Sequence, residues 1–173
     1  RGNTVNNKTV AKRYAQALLQ IAHEKDAIDL YEKDLNDCLN AINSDEHLQH
    51  IWYSQQVLSE DKKKVVKDLL AKNLSNMVAN LLMLIIDKKR EAFLPDIVSE
   101  YKKQADITRN IINAEVRSAV ALTDKDFNEL VEKLSAMSGK KVRLHSVVDP
   151  SLIGGLVVKM GDKVIDGSVI KRL

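Results

Sequence analysis

Glycine spacing is the first feature of this sequence that could serve chemistry. The stretch DPSLIGGLVVKMGDKVIDGS at residues 149–168 contains four glycines. A phosphate-binding loop needs glycines whose backbone amides converge on the anion, followed by Lys and Ser or Thr at the start of a helix. Gly155 and Gly161 are instead separated by the apolar run LVVKM, and Asp162 and Lys163 come next. The sequence therefore predicts no nucleotide site here, and it predicts no other cofactor.

A structural role accounts better for the same stretch. Asp149-Pro150 is a turn signal, and Gly154-Gly155 allow a bulge or a close backbone approach. Gly161 can supply a positive φ in a tight hairpin. We predict that the cluster bends a sheet, with these structural turn residues: Pro150, Gly154, Gly155, Gly161 and Gly167.

Histidine and cysteine offer little else for catalysis or metal binding. His47 and His50 are spaced i, i+3 and could share a metal ion, yet no third ligand in a suitable pattern accompanies them. The single cysteine, Cys38, falls on an apolar helical face and is expected to be a buried, reduced thiol. No G-x-S-x-G nucleophile motif occurs. We therefore expect a protein that is not an enzyme and binds no metal.

Helical periodicity dominates the first part of the chain, where six helices are predicted within residues 1–108. The second is the most regular, because Ile28, Tyr31, Leu35, Cys38 and Ile42 follow one another at intervals of three and four. The fifth is apolar on almost all sides at 77–86, so neighbours or a partner must bury it. Helix caps are predicted at Thr9, Ser44, Ser59 and Ser75.

The period changes near residue 109. Ile112, Ala114 and Val116 alternate with polar residues, as in a half-buried strand. A helix follows, capped by Thr123 and ended by Gly139, and then come three strands, the last two joined by a hairpin at Gly161-Asp162. Ser168 is the predicted cap of a final helix that five residues cannot complete. The predicted fold is α+β, mainly α: a six-helix bundle at 1–108 and a small α/β domain with a short sheet at 109–173.

Composition excludes some classes of protein without naming a partner. The chain has 173 residues, of which 45% are hydrophobic, so it can bury a core as one or two domains. Its 27 basic and 24 acidic residues give a net charge of only +3, far from the balance of a typical nucleic-acid binder. The longest apolar run is about half of the ~20 residues that a membrane-spanning helix requires.

Two stretches carry a resemblance to a known family. VAKRYAQALLQIA at 10–22 looks like the opening helix of the delta subunit family of F-type ATP synthase, which includes the oligomycin sensitivity conferral protein. DPSLIGGLVVKMGDKVIDGSV at 149–169 is similar to the C-terminal signature of that family throughout. The resemblance covers nearly the whole chain. It departs at the end, since family members continue their last helix well past Leu173.

The resemblance implies a non-catalytic connector. The N-terminal bundle would receive the N-terminal helix of an alpha subunit in a groove between the first and fifth helices, and the C-terminal part would engage the peripheral-stalk b subunits. Membrane association would be indirect, through a complex at the cytoplasmic face of the bacterial plasma membrane, or at an organellar inner or thylakoid membrane. The isolated chain is expected to be a monomer.

The residues themselves are compatible with such a groove. The first helix has a stripe of alanines and the fifth is apolar all round, so together they could accept an amphipathic helix. The predicted groove residues are Tyr14, Ala15 and Leu18 from the first helix, and Met77, Leu81, Leu84 and Ile85 from the fifth. The competing interpretation is that each of them is ordinary core.

Two alternatives stay open from the sequence. A nucleic-acid-binding helical domain could use the basic clusters KKK at 62–64, KKR at 88–90 and GKKVR at 139–143, although acids flank the first two and no aromatic residues are interleaved. A regulatory bundle that binds some other amphipathic helix would share the same groove.

Overall fold

Two compact units make up the chain, Arg1–Ala105 and Asp106–Leu173. The computed structural model describes residues 3–167. Helices predominate, and within the described residues every strand lies in the second unit. The α+β, mainly α fold class is therefore confirmed. The unit boundary lies at residues 105–106, whereas the change of sequence period placed it after residue 108.

The described part of the first unit is built from six α-helices. They are α1 (Asn3–Glu24), α2 (Ile28–Ser44), α3 (Glu46–Tyr53), α4 (Ser59–Val65), α5 (Asn76–Asp87) and α6 (Leu94–Thr108), whose last turn enters the second unit. A π-helical turn at Val66–Leu70 extends α4, and a 3-10 turn at Glu91–Phe93 precedes α6. None of the described helices is both long enough and apolar enough to cross a bilayer.

One hydrophobic core holds these helices together. The face of α2 predicted from its periodicity is buried at Tyr31, Leu35, Cys38 and Ile42. Every helix of the unit except α4 contributes buried apolar side chains, and α4 does so through its π-helical extension. Tyr101 of α6 donates a hydrogen bond of 3.0 Å from its hydroxyl to the Ile28 carbonyl, which ties α6 to the start of α2.

Three of the predicted helix caps are wrong. Thr9 lies inside α1, because that helix begins six residues earlier. Ser44 is the last residue of α2, and it is Asp45 that caps α3 by accepting hydrogen bonds from two backbone amides of the first turn. Ser59 is the first residue of α4 and makes no cap bond.

The start of α5 is fixed by a residue distant in sequence. Ser75 precedes the helix as predicted, but its hydroxyl makes no cap hydrogen bond. Its backbone N–H donates instead to Oδ2 of Asp34, a buried residue of α2, at 2.8 Å. A carboxylate near a helix N-terminus is favoured by the helix dipole. Asp34 therefore couples the position of α5 to that of α2.

The described part of the second unit contains a four-stranded sheet and one helix. The elements are β1 (Ile111–Ser118), α7 (Asp124–Ser138), β2 (Lys141–Val148), β3 (Leu156–Met160) and β4 (Lys163–Asp166). The strand order is β2-β1-β3-β4. β2 is parallel to β1 and reached through α7, whereas β3 and β4 run antiparallel to their neighbours.

Apolar and polar residues alternate along the strands, and the apolar ones form the core of this unit. Ala114 and Val116 of β1 are buried together with Leu130 and Leu134 of α7, while Arg117 lies on the exposed face of the sheet. α7 has the predicted capping residues, because Thr123 Oγ1 accepts a hydrogen bond from the Asp126 amide at 3.2 Å and Gly139 ends the helix with a φ of 65°. The predicted final helix starting at Ser168 lies outside the described residues.

Candidate partner-binding site

The core-facing side of α1 is made of small residues. Ala11, Ala15 and Ala22 are completely buried, and Leu18 is 3% exposed. Their spacing of three and four places them on one face of the helix. The alanine stripe predicted from the sequence therefore lies against the core of the first unit, where it allows close packing of neighbouring helices.

Beside that stripe runs a half-covered apolar side of α1. Val10, Tyr14, Ala17 and Ile21 recur at intervals of four and three, and all but Ala17, which is exposed, are half-buried. We call these four residues the α1 edge. They leave apolar surface of this helix accessible next to the buried face.

A similar edge runs along α5. Val78, Leu82, Ile85 and Ile86 are completely buried, so this face belongs to the core. Met77, Leu81 and Leu84 follow at intervals of four and three; Met77 is half-buried, Leu81 is 8% exposed and Leu84 is 42% exposed. We call Met77, Leu81 and Leu84 the α5 edge. Leu84 is the most exposed apolar residue of this helix.

Arg90 joins the end of α5 to α1. Its Nη1 donates to the Tyr14 hydroxyl at 2.9 Å, and its guanidinium carbon lies 5.7 Å from the centre of the Tyr14 ring. The backbone at this point is set by a Schellman motif, in which Arg90 N–H donates to Ile85 O at 2.9 Å and Lys89 N–H donates to Ile86 O at 3.0 Å. Lys89 has the left-handed φ of 54° that this motif requires.

The structure thus divides the seven predicted groove residues into two groups. Ala15, Leu18 and Ile85 are buried in the core of the unit, and Leu81 is nearly so. Tyr14, Met77 and Leu84 retain exposed surface. The hydrogen bond from Arg90 to Tyr14 links the two helices that carry the predicted groove. Contact of any of these residues with a partner stays a prediction.

Sequence reasoning missed a buried polar cluster in the same unit. Lys62 Nζ donates to Glu91 Oε1 at 2.8 Å and to the Trp52 carbonyl at 2.9 Å, and Trp52 Nε1 donates to the Glu91 carbonyl at 3.1 Å. The side chains of Lys62 and Glu91 are only 5% and 11% exposed. No local pattern marks these residues, since they are 29 positions apart and each lies among exposed charges.

The first of the basic clusters, KKK at 62–64, is paired with acids within the chain. Lys62 pairs with Glu91, Lys63 with Asp87 and Lys64 with Asp61. In the second unit Arg143 Nη1 donates to the buried carboxylate of Asp106 at 2.8 Å. A surface for nucleic acid needs cations that are free to contact phosphates. The nucleic-acid hypothesis gains no support from this arrangement.

Among the described residues, no cluster of side chains is suited to catalysis or to metal binding. His47 and His50 are exposed on α3, and no group of three metal-ligating side chains occurs in the described part of the chain. Burial, reinforced by the charge of Asp34, raises the pKa of the Cys38 thiol to about 12. A thiol held protonated in this way is a poor nucleophile. Cys38 is therefore structural, as its place on an apolar face indicated.

Four of the five predicted turn residues, Pro150, Gly154, Gly155 and Gly161, lie in turns or bends before or after β3, whereas Gly167 does not. Pro150 follows Asp149, whose Oδ1 accepts hydrogen bonds from the Ser151 amide and hydroxyl at 3.0 and 2.5 Å. Gly161 has a φ of 61° in the hairpin between β3 and β4. The two hydrogen bonds from Ser151 to Asp149 position the turn at Pro150.

The close backbone approach expected at Gly154-Gly155 occurs instead at Gly167. Gly154 and Gly155 have φ values of 107° and 78°, but a side chain at either position would meet open space. A Cβ on Gly167 would instead lie 2.7 Å from the carbonyl oxygen of Leu156. The double glycine is therefore required for its backbone conformation, and Gly167 for close packing against β3.

Comparison with known proteins gives a consistent result across nearly the whole chain. The family model described as ATP synthase delta (OSCP) subunit matches residues 10–173. The chain is 43% identical over 164 residues to ATP synthase subunit delta of Desulforamulus reducens, covering 95% of this chain and 91% of that protein. It is 41% identical to ATP synthase subunit delta of Desulforudis audaxviator, covering 95% and 90%.

A solved structure shares the fold. A chain in the mitochondrial ATP synthase hexamer of Toxoplasma gondii aligns with a TM-score of 0.66 at 22% identity, covering 94% of this chain and 92% of that one. At this level of identity the likeness supports the architecture described above.

Proposed function

Since the chain belongs to the ATP synthase delta (OSCP) subunit family, whose members are non-catalytic structural subunits, we propose that it is the connector between the catalytic head and the peripheral stalk. In this role the first unit holds the N-terminal helix of an alpha subunit, and the second unit engages the peripheral-stalk b subunits. The protein performs no chemical step. It resists rotation of the head, so that torque from the rotor drives nucleotide exchange.

The observation that carries this proposal is the pair of apolar edges on α1 and α5. A helix that docks in a groove needs apolar surface on two neighbouring helices, with anchors three or four residues apart. The α1 edge and the α5 edge have this spacing, and the contact between Arg90 and Tyr14 holds the end of α5 against α1. Leu84, at 42% exposure, offers the largest accessible apolar side chain for such a contact on α5.

The second unit has apolar surface of its own to offer the stalk. Val120 is 73% exposed, Val148 49% and Val164 68%. Burial of such residues against a partner helix removes apolar area from water, at about 25 cal/mol per Å². We propose that contacts of this kind, together with the charged open face of the sheet, engage the b subunits. The bacterial relatives support a site at the cytoplasmic face of the plasma membrane, held there through the complex.

A peptide titration tests the first contact. The full chain, labelled for amide chemical shifts, is titrated with a synthetic peptide of about 20 residues from the N-terminus of the alpha subunit of the same organism, a length of several helical turns. Saturable shifts that centre on α1 and α5 and persist at high salt are expected. Shifts that disappear with salt and scatter over the lysine clusters would contradict the proposal.

A further inference from the structure

Arg90 stands out among the arginines because it is half-buried without a carboxylate. Arg109, which is also half-buried, lies 3.5 Å from Asp106, and Arg117 and Arg143 have acidic partners as well. Among the described residues, the neutral side chain of Tyr14 is the hydrogen-bond and ring partner of the Arg90 side chain, and no carboxylate pairs with it. Partly buried guanidinium groups are ordinarily paired with carboxylates, since removal of a charge from water is costly.

The unused bonding capacity of Arg90 is substantial. A guanidinium has five N–H donors in a fixed planar fork, and the hydrogen bond to Tyr14 occupies one of them. The Schellman motif fixes the backbone of Arg90, and the hydrogen bond to the Tyr14 hydroxyl, with the ring centre 5.7 Å from the guanidinium carbon, orients its side chain. The group is therefore preorganised, so a carboxylate that binds it requires little further ordering.

The surrounding charge favours an acidic ligand. Lys88 and Lys89 precede Arg90 and are exposed. The acids nearest to it in sequence, Glu91 and Asp87, are already paired with Lys62 and Lys63. On α1, Lys12 and Arg13 precede Tyr14 and are exposed. Charges of one sign around a site attract a partner of the opposite sign and slow the binding of like-charged ones.

We propose that Arg90 is the charged anchor of the groove, and that it binds an Asp or Glu side chain of the helix that docks along the α1 and α5 edges. The partner is thus an amphipathic helix with an apolar face for Leu84 and Met77 and a carboxylate at the border of that face. Tyr14 positions the guanidinium. This inference rests on the proposed function, and it adds the residue that sets the register and chemistry of the partner helix.

The test measures affinity by calorimetry with the full chain and the alpha-subunit peptide. The wild type is compared with Arg90→Gln and Arg90→Lys, and with Lys72→Gln as the matched control at an exposed cation outside α1, α5 and residues 88–90. Arg90→Gln is expected to weaken binding about 10- to 100-fold, as loss of a charge-assisted hydrogen bond implies. Arg90→Lys should retain part of the affinity, and Lys72→Gln should change it less than twofold.

Peptide variants keep the test valid if Arg90→Gln disturbs folding. Each Asp or Glu of the peptide is replaced in turn by Asn or Gln and titrated into the unaltered chain. One replacement is expected to weaken binding about as much as Arg90→Gln, and to have no further effect in the Arg90→Gln chain. Tyr14→Phe, which removes only the hydroxyl, should produce an intermediate loss.

The outcomes separate this inference from the proposed function. If the wild type binds the peptide but neither Arg90→Gln nor any peptide replacement weakens binding, the anchor is overturned and the groove stands. If the wild type does not bind the peptide at all, the proposed function itself fails. A loss with Arg90→Gln that no peptide replacement reproduces would assign Arg90 to the fold of the groove and would also overturn the anchor.

Discussion

The buried pair of Lys62 and Glu91 makes a sharp prediction about the stability of the first unit. Lys62→Met replaces the stem of the side chain with an apolar one of similar length and removes the ammonium group. The substitution leaves the Glu91 carboxylate without its 2.8 Å partner and the Trp52 carbonyl without its 2.9 Å donor. That carbonyl lies in the last turn of α3, where the helix itself supplies no donor.

The expected destabilisation follows from the burial of both groups. The side chains of Lys62 and Glu91 are 5% and 11% exposed, so water cannot replace the lost contacts. Removal of one member of a buried ion pair typically costs about 3–5 kcal/mol. With a urea dependence of about 1–3 kcal/mol/M, the midpoint of unfolding should fall by at least about 1 M.

Fluorescence of the single tryptophan provides the assay. Trp52 is 2% exposed and donates to the Glu91 carbonyl, so its emission reports the folding of this unit. Lys33→Met is the matched control, because Lys33 pairs with Asp37 at 2.7 Å while both side chains remain more than half exposed. It should leave the midpoint unchanged within error.

A double variant separates the pair from its surroundings. Lys62→Met combined with Glu91→Leu removes both charges, so it should recover much of the stability that Lys62→Met alone loses. If Lys62→Met shifts the midpoint no more than Lys33→Met does, the reasoning from burial is refuted.

Three further predictions concern individual residues. Gly167→Ala should destabilise the second unit by about 1–3 kcal/mol, because its Cβ would press on the Leu156 backbone. Gly155→Ala should cost about 1–2 kcal/mol through backbone strain at a φ of 78°, although its side chain would meet open space. Hydrogen exchange of the β3 and β4 amides measures both effects, and unchanged exchange in Gly167→Ala would contradict the close packing assigned to that glycine. The raised pKa of Cys38 means that the folded thiol keeps its proton while the unfolded one loses it above pH 9.0, so stability is present below that pH and is lost towards pH 12. The stability difference between wild type and Cys38→Ala in urea should therefore shrink by about 1.4 kcal/mol from pH 8 to pH 10, and a difference independent of pH would show that the thiol is not protected. Thr123→Ala should cost about 1 kcal/mol through loss of the α7 cap, measured by thermal unfolding against Thr123→Ser, which keeps the capping hydroxyl. An unchanged transition in Thr123→Ala would mean that the cap does not stabilise α7.

Periodicity predicted the elements of this fold well and their ends less well. The buried face of α2 and the hairpin at Gly161 follow from local spacing and turn chemistry, and the structure has both. The first residues of α3 and α4 do not follow from local spacing, because several polar residues near each start could cap a helix. The Schellman motif after α5 was not anticipated, since its left-handed position is occupied by Lys89 rather than glycine.

Local sequence patterns did not predict the contacts between residues that are distant in sequence. The cluster of Lys62, Glu91 and Trp52 joins three elements through a side chain that the sequence shows only as one lysine in a run of three. From the sequence, Arg90 is only one member of the basic cluster at 88–90, yet its partner is Tyr14, 76 positions away. The candidate groove residues were chosen for apolar character, which does not distinguish Ala15 in the core from the exposed Leu84.

Cross-linking in the assembled enzyme would test the connector role most directly. Leu84→Cys introduces an accessible thiol on α5, while the native Cys38 is buried and does not compete. With a second cysteine in the N-terminal segment of the alpha subunit, a disulfide between the two chains is predicted to form in high yield. Leu69→Cys, at a site 62% exposed outside α1 and α5, should not form it. Equal yields at both positions, or no cross-link at Leu84→Cys, would contradict docking of the alpha subunit on the first unit.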